Sequence, residues 1–171
     1  MTSTINTPNT SLLARLLNHP QAPFFLLSCL LGAVMGVVFI IFQPMFGMDT
    51  LTSRHAGAYQ KLGGLGATLA IVIAWFAHTL VSVFYGVLSG IVVFKYNRIE
   101  LIALYTLMFT WVTTIIAPPA NAMIVQLVSF QHINFTALPA LNFSFDVKFV
   151  LHLIFFAVIS AVLYIYKKNS K

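Results

Sequence analysis

The chain has 171 residues, of which 60% are hydrophobic and 7% are charged. Soluble domains carry about 25% charged residues, so this composition excludes an ordinary soluble protein and leaves room for several membrane spans without a sizeable further domain. Lys and Arg number nine against three Asp and Glu. These basic residues flank hydrophobic runs and form no patch with interleaved aromatic residues. This distribution is explained by the topology of a membrane protein and argues against nucleic acid as a partner.

Residues 1–23 are polar and are expected to form a cytoplasmic N-terminal segment with a short interfacial helix over 11–17. The first span follows over 24–42. Its 19 apolar residues exceed the core of a signal peptide, about 7–15 residues, and no cleavage pattern comes directly after it, so we expect a retained helix. Within it, Gly32 and Gly36 form a GxxxG pattern that lets another helix approach closely.

The second span, 65–94, is a run of thirty residues without a formal charge, and about 20 are enough to cross a bilayer. His78 lies in its interior, with Ser82 and Tyr85 at helical spacing. An ionisable side chain inside a span is costly and marks a candidate functional site. Later in the same span, Gly86 and Gly90 are expected to lie at helix contacts.

The remaining segments complete a four-span pattern. The loop over 43–64 contains a short surface helix that is expected to end near Gly63. The third span covers 101–117, where Pro118 and Pro119 are expected to end or kink the helix, with an apolar extension to 130. The fourth span covers 149–166, and residues 167–171 form a basic tail. The predicted fold is an all-α polytopic membrane protein, a bundle of four transmembrane helices whose third helix is broken at the Pro-Pro pair.

The distribution of basic residues predicts the orientation. Both termini of a four-span protein lie on one side, and that side with its turn carries six Lys and Arg, against three in the other two loops. The positive-inside rule therefore places both termini in the cytoplasm.

Several polar or helix-breaking residues of different spans are expected at the same depth, and they form a candidate site in the outer half of the bundle. His78 lies 17 residues before Lys95, and His152 lies 15 residues before Lys167. At 1.5 Å per residue, their depths differ by only about 3 Å. Counted from the same side, Pro118 lies at a similar level, with Asn121 beside it. The candidate binding or proton-relay residues are therefore His78, Ser82, Tyr85, Pro118, Asn121 and His152.

Three interpretations of this cluster remain open. The histidines could bond neighbouring groups and only hold helices together. They could move protons or a small solute, since histidine titrates near pH 6.5. They could also hold a haem between His78 and His152, although no intramembrane arginine is available for its propionates.

Catalytic motifs are absent from the sequence, so we expect no enzyme. The chain has no GxSxG, HExxH, P-loop or GxGxxG pattern, and its three acidic residues stand singly. His55 and His132 could approach each other outside the membrane, but without an acid or cysteine cluster they make a poor zinc site. No metal site is predicted.

Four features in this order resemble the YagU-like family of bacterial inner-membrane proteins. They are GxxxG in the first span, His78-x-x-x-Ser82-x-x-Tyr85-Gly86 in the second, a proline-broken third span, and His152-Leu-Ile-Phe-Phe in the fourth. The resemblance covers most of 24–168 and implies a four-helix inner-membrane protein associated with acid tolerance, without an established biochemical activity. The matching positions are His78, Ser82, Pro118 and His152.

The chain departs from this family at one place. The family has a histidine late in the third span, where this sequence has Thr113 and Thr114. A proton path of three intramembrane histidines is therefore not expected.

The leading functional hypothesis is a small membrane protein that aids envelope or pH homeostasis by moving protons or a small solute. The alternative is a noncatalytic subunit or assembly partner of a larger membrane complex, or a homo-oligomer, for which GxxxG faces and short polar loops would suffice. A haem-binding electron carrier is the third hypothesis.

Overall fold

The computed structural model describes residues 19–130 and 132–170; the short helix expected over 11–17 lies outside them. The described chain forms five α-helices: α1 (Ala22–Phe42), α2 (Leu51–Gly63), α3 (Ala67–Lys95), α4 (Ile99–Val128) and α5 (Val147–Asn169). Two 3-10 helices, Gln43–Phe46 and Phe135–Ala137, lie in the connections. Four of the α-helices, α1, α3, α4 and α5, are long and apolar enough to cross a bilayer. The predicted all-α polytopic bundle is confirmed.

The outer surface of the bundle is suited to lipid. Large apolar side chains point away from the core, among them Phe76, Leu30 and Leu104, which are 70%, 60% and 60% exposed. In water such a surface would promote association. Hydrocarbon solvates these side chains, so α1, α3, α4 and α5 present their apolar faces to the bilayer.

The short helix α2 is capped at both ends by local sequence signals. The Thr50 side chain accepts a hydrogen bond from the Ser53 N–H at 3.2 Å, and Gly64 ends the helix with a φ of 63°, a conformation that glycine adopts without strain. A surface helix was expected here. However, α2 packs on α3 and α4 and buries His55, Ala56 and Tyr59, so it covers one end of the bundle. We name this end, where α1 and α4 finish and α5 begins, the α2 end.

Small residues bring α1 and α3 into backbone contact. Three antiparallel pairs form this small-residue ladder: Ser28 with Gly90, Gly32 with Gly86, and Gly36 with Ser82. A Cβ atom added to Gly32 would lie 2.5 Å from the carbonyl oxygen of Ser82 and 2.9 Å from the Cα of Val83. Because these obstacles are backbone atoms, no side-chain rotation relieves the overlap. The ladder therefore requires glycine at its centre.

Aromatic and aliphatic packing fills the opposite end of the bundle. Beyond the last pair of the ladder, Phe24 of α1 packs against Phe94 of α3 with ring centroids 5.7 Å apart. The Lys167 ammonium donates hydrogen bonds to the carbonyls of Val93 and Phe94, each at 2.7 Å, and thereby satisfies acceptors that the end of α3 leaves open. This end of the bundle is closed.

The predicted break of the third span at the proline pair is wrong, because the helix is not interrupted there. Helix α4 runs without interruption from Ile99 to Val128, with Pro118 and Pro119 inside it, so the helix follows the expected extension and passes position 117. Proline removes a hydrogen bond to the carbonyl four residues earlier, and Pro119 therefore frees the carbonyl of Ile115. The Asn142 N–H of the loop before α5 donates to that carbonyl at 3.0 Å. The loop replaces the lost bond, and the helix continues.

The small-residue ladder yields a stability prediction. Gly32→Ala should destabilise the protein by about 1–3 kcal/mol, because the new methyl overpacks against the α3 backbone, and its detergent melting temperature should fall. The matched control is Gly57→Ala on α2, where an added Cβ meets nothing within 4 Å and alanine is the better helix former. Equal melting temperatures for the two variants would contradict the ladder.

Candidate functional site

A cavity of about 300 Å³ lies at the α2 end, between all five helices. Its polar wall contains Gln43, Arg54, His78, Ser82, Tyr85, Thr113, Asn121, Lys148 and His152. Its apolar wall contains Phe39, Met48, Leu51, Val81, Phe84, Ala117, Ala120, Ile124 and Phe155. A concave, mainly apolar space with a few converging polar groups is the usual form of a small-molecule site.

His78 reaches the cavity from α3 and is fixed by the backbone of α1. Its Nε2 lies 2.9 Å from the carbonyl oxygen of Gly36. A carbonyl only accepts hydrogen bonds, so Nε2 carries a proton and donates, and Nδ1 of the neutral ring is left as the basic nitrogen. The Ser82 hydroxyl lies 3.5 Å from the same Nε2. A Cβ atom added to Gly36 would overlap the Ser82 side chain, so the glycine makes room for Ser82 beside this bond.

His152 enters the cavity from α5 and is oriented by α4. The Thr114 hydroxyl donates to the carbonyl of Thr110 at 2.8 Å, so its oxygen serves as an acceptor for Nδ1 of His152, 3.1 Å away. His152 therefore carries its proton on Nδ1 and keeps a basic Nε2. Each intramembrane histidine thus has one nitrogen bonded to a neighbouring helix and one without that constraint.

Phe39 of α1 packs against both imidazoles. Its ring centroid lies 6.1 Å from that of His78 and 5.2 Å from that of His152. A haem with these two axial ligands would need its macrocycle between them, where Phe39 already contacts both rings. The residues present do not fit a haem.

The other residues predicted for the site divide into two groups. Ser82, Tyr85 and Asn121 line the cavity, whereas Pro118 does not. Asn121 belongs to a helical stripe with Thr113, Ala117, Ala120 and Ile124, and the spacing of this stripe turns Pro118 to another face of α4. The proline pair is therefore not part of the cavity lining.

Sequence reasoning missed the two cationic residues of the cavity. Arg54 of α2 and Lys148 of α5 both line it, although their positions in the sequence indicated only topology. No carboxylate belongs to the described part of the lining. The cavity therefore has positive charge beside its apolar wall.

A third histidine lies close to this site. His55 lies on the buried face of α2, where it is 7% exposed and packs beside Tyr59 with ring centroids 6.0 Å apart, whereas His132 is exposed. The approach of these two histidines stays a prediction. Burial lowers the pKa of His55 to about 4, and the nearby Arg54 and His78 act in the same direction. Within 19–130 and 132–170, no three His, Cys, Asp or Glu side chains form a group that could hold a metal.

Comparison of the chain with protein-family models, with curated proteins and with solved structures found no match. The resemblance to YagU-like proteins therefore stays a prediction, and the interpretation of the site depends on its geometry.

The buried His55 predicts acid-sensitive stability. Its pKa is about 4 in the folded protein and 6.5 ordinarily, so below pH 6.5 the unfolded chain binds the proton more readily and stability falls until about pH 4. In melting curves from pH 7.5 to 4.5, His55→Leu should reduce this decline, whereas His132→Leu should retain the full decline. If the melting temperature of His55→Leu falls as much with pH as that of the wild type, His55 is not the cause of the acid sensitivity.

Proposed function

We propose that this chain is a bacterial inner-membrane protein that aids pH or envelope homeostasis by receiving a proton or a small solute from the periplasm into its histidine-lined cavity. The carrying observation is that His78 and His152 line one cavity and that each keeps a basic nitrogen. The positive-inside rule supports an orientation with the α2 end in the periplasm.

Proton uptake by this cavity has a simple chemical route. A hydronium ion from the acidified periplasm, entering through water in the cavity, would pass its proton to Nδ1 of His78 or Nε2 of His152 and become water, while the opposite nitrogen of each ring continues to donate to Gly36 or Thr114. The ring positions would therefore be kept in both charge states. This supports reversible protonation without a change in helix packing.

Aromatic side chains pack between the cavity and the opposite end of the bundle. This packing supports binding of the proton or solute in the cavity, or its gated passage, and argues against an open channel. Tyr85 and Phe109 pack against Phe156 with ring centroids 5.5 and 5.7 Å away, and Phe156 is fully buried. A proton or solute held in the cavity would have to displace this packing to cross the membrane.

The resemblance to YagU-like proteins, with their association with acid tolerance, supports the same proposal. The alternative role as a subunit of a larger complex depended on free small-residue faces. Because Gly32, Gly36, Gly86 and Gly90 all pack within the chain, no observation favours that role here. Homo-oligomers and other partners, and the absence of catalysis, stay predictions.

Access to the cavity is tested by thiol labelling. In a Cys29→Ala background, Ala120→Cys should react with a membrane-impermeant anionic methanethiosulfonate added from the periplasmic side, because Ala120 lines the cavity. The matched control is Ile116→Cys, one helical turn away on the outer surface, where lipid keeps the thiol un-ionised. Labelling of Ile116→Cys but not Ala120→Cys would contradict a water-accessible cavity.

The homeostasis proposal is tested by the recovery of cytoplasmic pH after cells are shifted to acid medium. His78→Gln should keep its melting temperature, because the amide N–H replaces the bond to Gly36, but should recover no better than a deletion strain, because glutamine carries no proton. His132→Gln, in the exposed loop, should recover like the wild type. Full recovery of a folded His78→Gln variant would overturn the role of His78.

A further inference from the structure

The two cationic side chains of the cavity have no part in the proton step. Arg54 is exposed and Lys148 is half-buried, and both line the same space. Lys148 lies one helical turn before His152 on α5, about 6 Å nearer the α2 end. The positive charges therefore lie toward the mouth, and the histidines lie deeper.

Two aspartates lie near these cations but outside the cavity lining: Asp49 shares a surface depression with Arg54, and Asp146 lies two residues before Lys148. Asp146 caps α5, where its Oδ1 accepts hydrogen bonds from the N–H groups of Lys148 and Phe149 at 2.9 and 3.2 Å. Its Oδ2 accepts from the Asn142 amide at 3.4 Å. These neutral donors leave the charge of Asp146 in place, but neither Asp146 nor Asp49 lines the cavity, so Arg54 and Lys148 are the formal charges of its described lining that face a ligand.

The cavity beyond the mouth has an apolar wall in addition to the histidines, and its depth limits the size of that ligand. Phe39, Phe84, Ile124 and Phe155 belong to this wall, and Phe155 lies about 10 Å deeper along α5 than Lys148. The cavity of about 300 Å³ therefore suits a small, extended ligand. A chain of about eight carbons with a single acidic head matches this space.

We propose that the cavity binds a medium-chain monocarboxylate, with its carboxylate between Arg54 and Lys148 at the mouth and its hydrocarbon chain directed toward Phe155. The assignment rests on the proposed function, because it names the solute that the cavity receives. Arginine and lysine are the side chains that bind carboxylates through charge-assisted hydrogen bonds. An apolar pocket below them excludes small hydrophilic anions such as acetate, which gain nothing from its wall.

Calorimetric titration of the full chain in maltoside detergent tests this assignment. Octanoate should bind, and octanamide, octylamine and acetate should each bind at least tenfold more weakly, because they lack the charge, reverse it or lack the chain. Arg54→Gln and Lys148→Gln should each weaken octanoate binding about tenfold or more and leave octanamide binding unchanged. Lys61→Gln, on α2 but outside the cavity lining, should bind octanoate like the wild type.

The outcomes separate this assignment from the proposed function. Equal binding of octanoate and octanamide, or octanoate binding that is unaffected in both cavity variants, would overturn the anion assignment and leave a solute cavity. If octanoyl lysophosphatidylglycerol binds and octanoate fails to displace it, the cavity binds lipid headgroups. That result would overturn the assignment of a free carboxylic acid as the ligand. Absence of octanoate binding would overturn the assignment, whereas the Ala120→Cys labelling independently decides whether the cavity is open to solutes.

Discussion

The backbone contact between α1 and α3 is the constraint on which the rest of the structure depends. In a bilayer, helices gain no hydrophobic energy from meeting, so close van der Waals packing must hold them together. Gly32 and Gly86 provide it at the centre of the small-residue ladder. The contact also brings His78 within 2.9 Å of the Gly36 carbonyl. The same glycines therefore stabilise the bundle and orient a residue of the site.

The cavity exists because packing is uneven along the bundle. At the closed end, aromatic rings and the Lys167 ammonium fill the space between α3 and α5. Toward the α2 end, small residues of α4 such as Ala117 and Ala120 leave room, and α2 covers the bundle without filling it. The loop that Pro119 anchors through the carbonyl of Ile115 leads into α5. A polar, cationic space thus lies next to an apolar interior.

Much of this arrangement could be predicted from the sequence, since apolar runs and small-residue spacing are local signals. The equal depth of His78 and His152 followed from counting residues, and both line the cavity. The hydrogen bond that replaces the one lost at Pro119 could not be predicted, because it comes from Asn142, a distant residue in the loop before α5. Arg54 and Lys148 were missed because the cavity that they line forms only when α2 and α5 pack together with the other helices, which no short pattern encodes.

The most direct test of the central claim is the distance between Nε2 of His78 and the carbonyl carbon of Gly36. Solid-state NMR with selective ¹⁵N and ¹³C labels measures this distance in lipid. Since Nε2 lies 2.9 Å from the oxygen and a C=O bond is about 1.23 Å long, the account predicts a distance below about 4.2 Å. The absence of measurable dipolar coupling between these two atoms in a folded protein would contradict it.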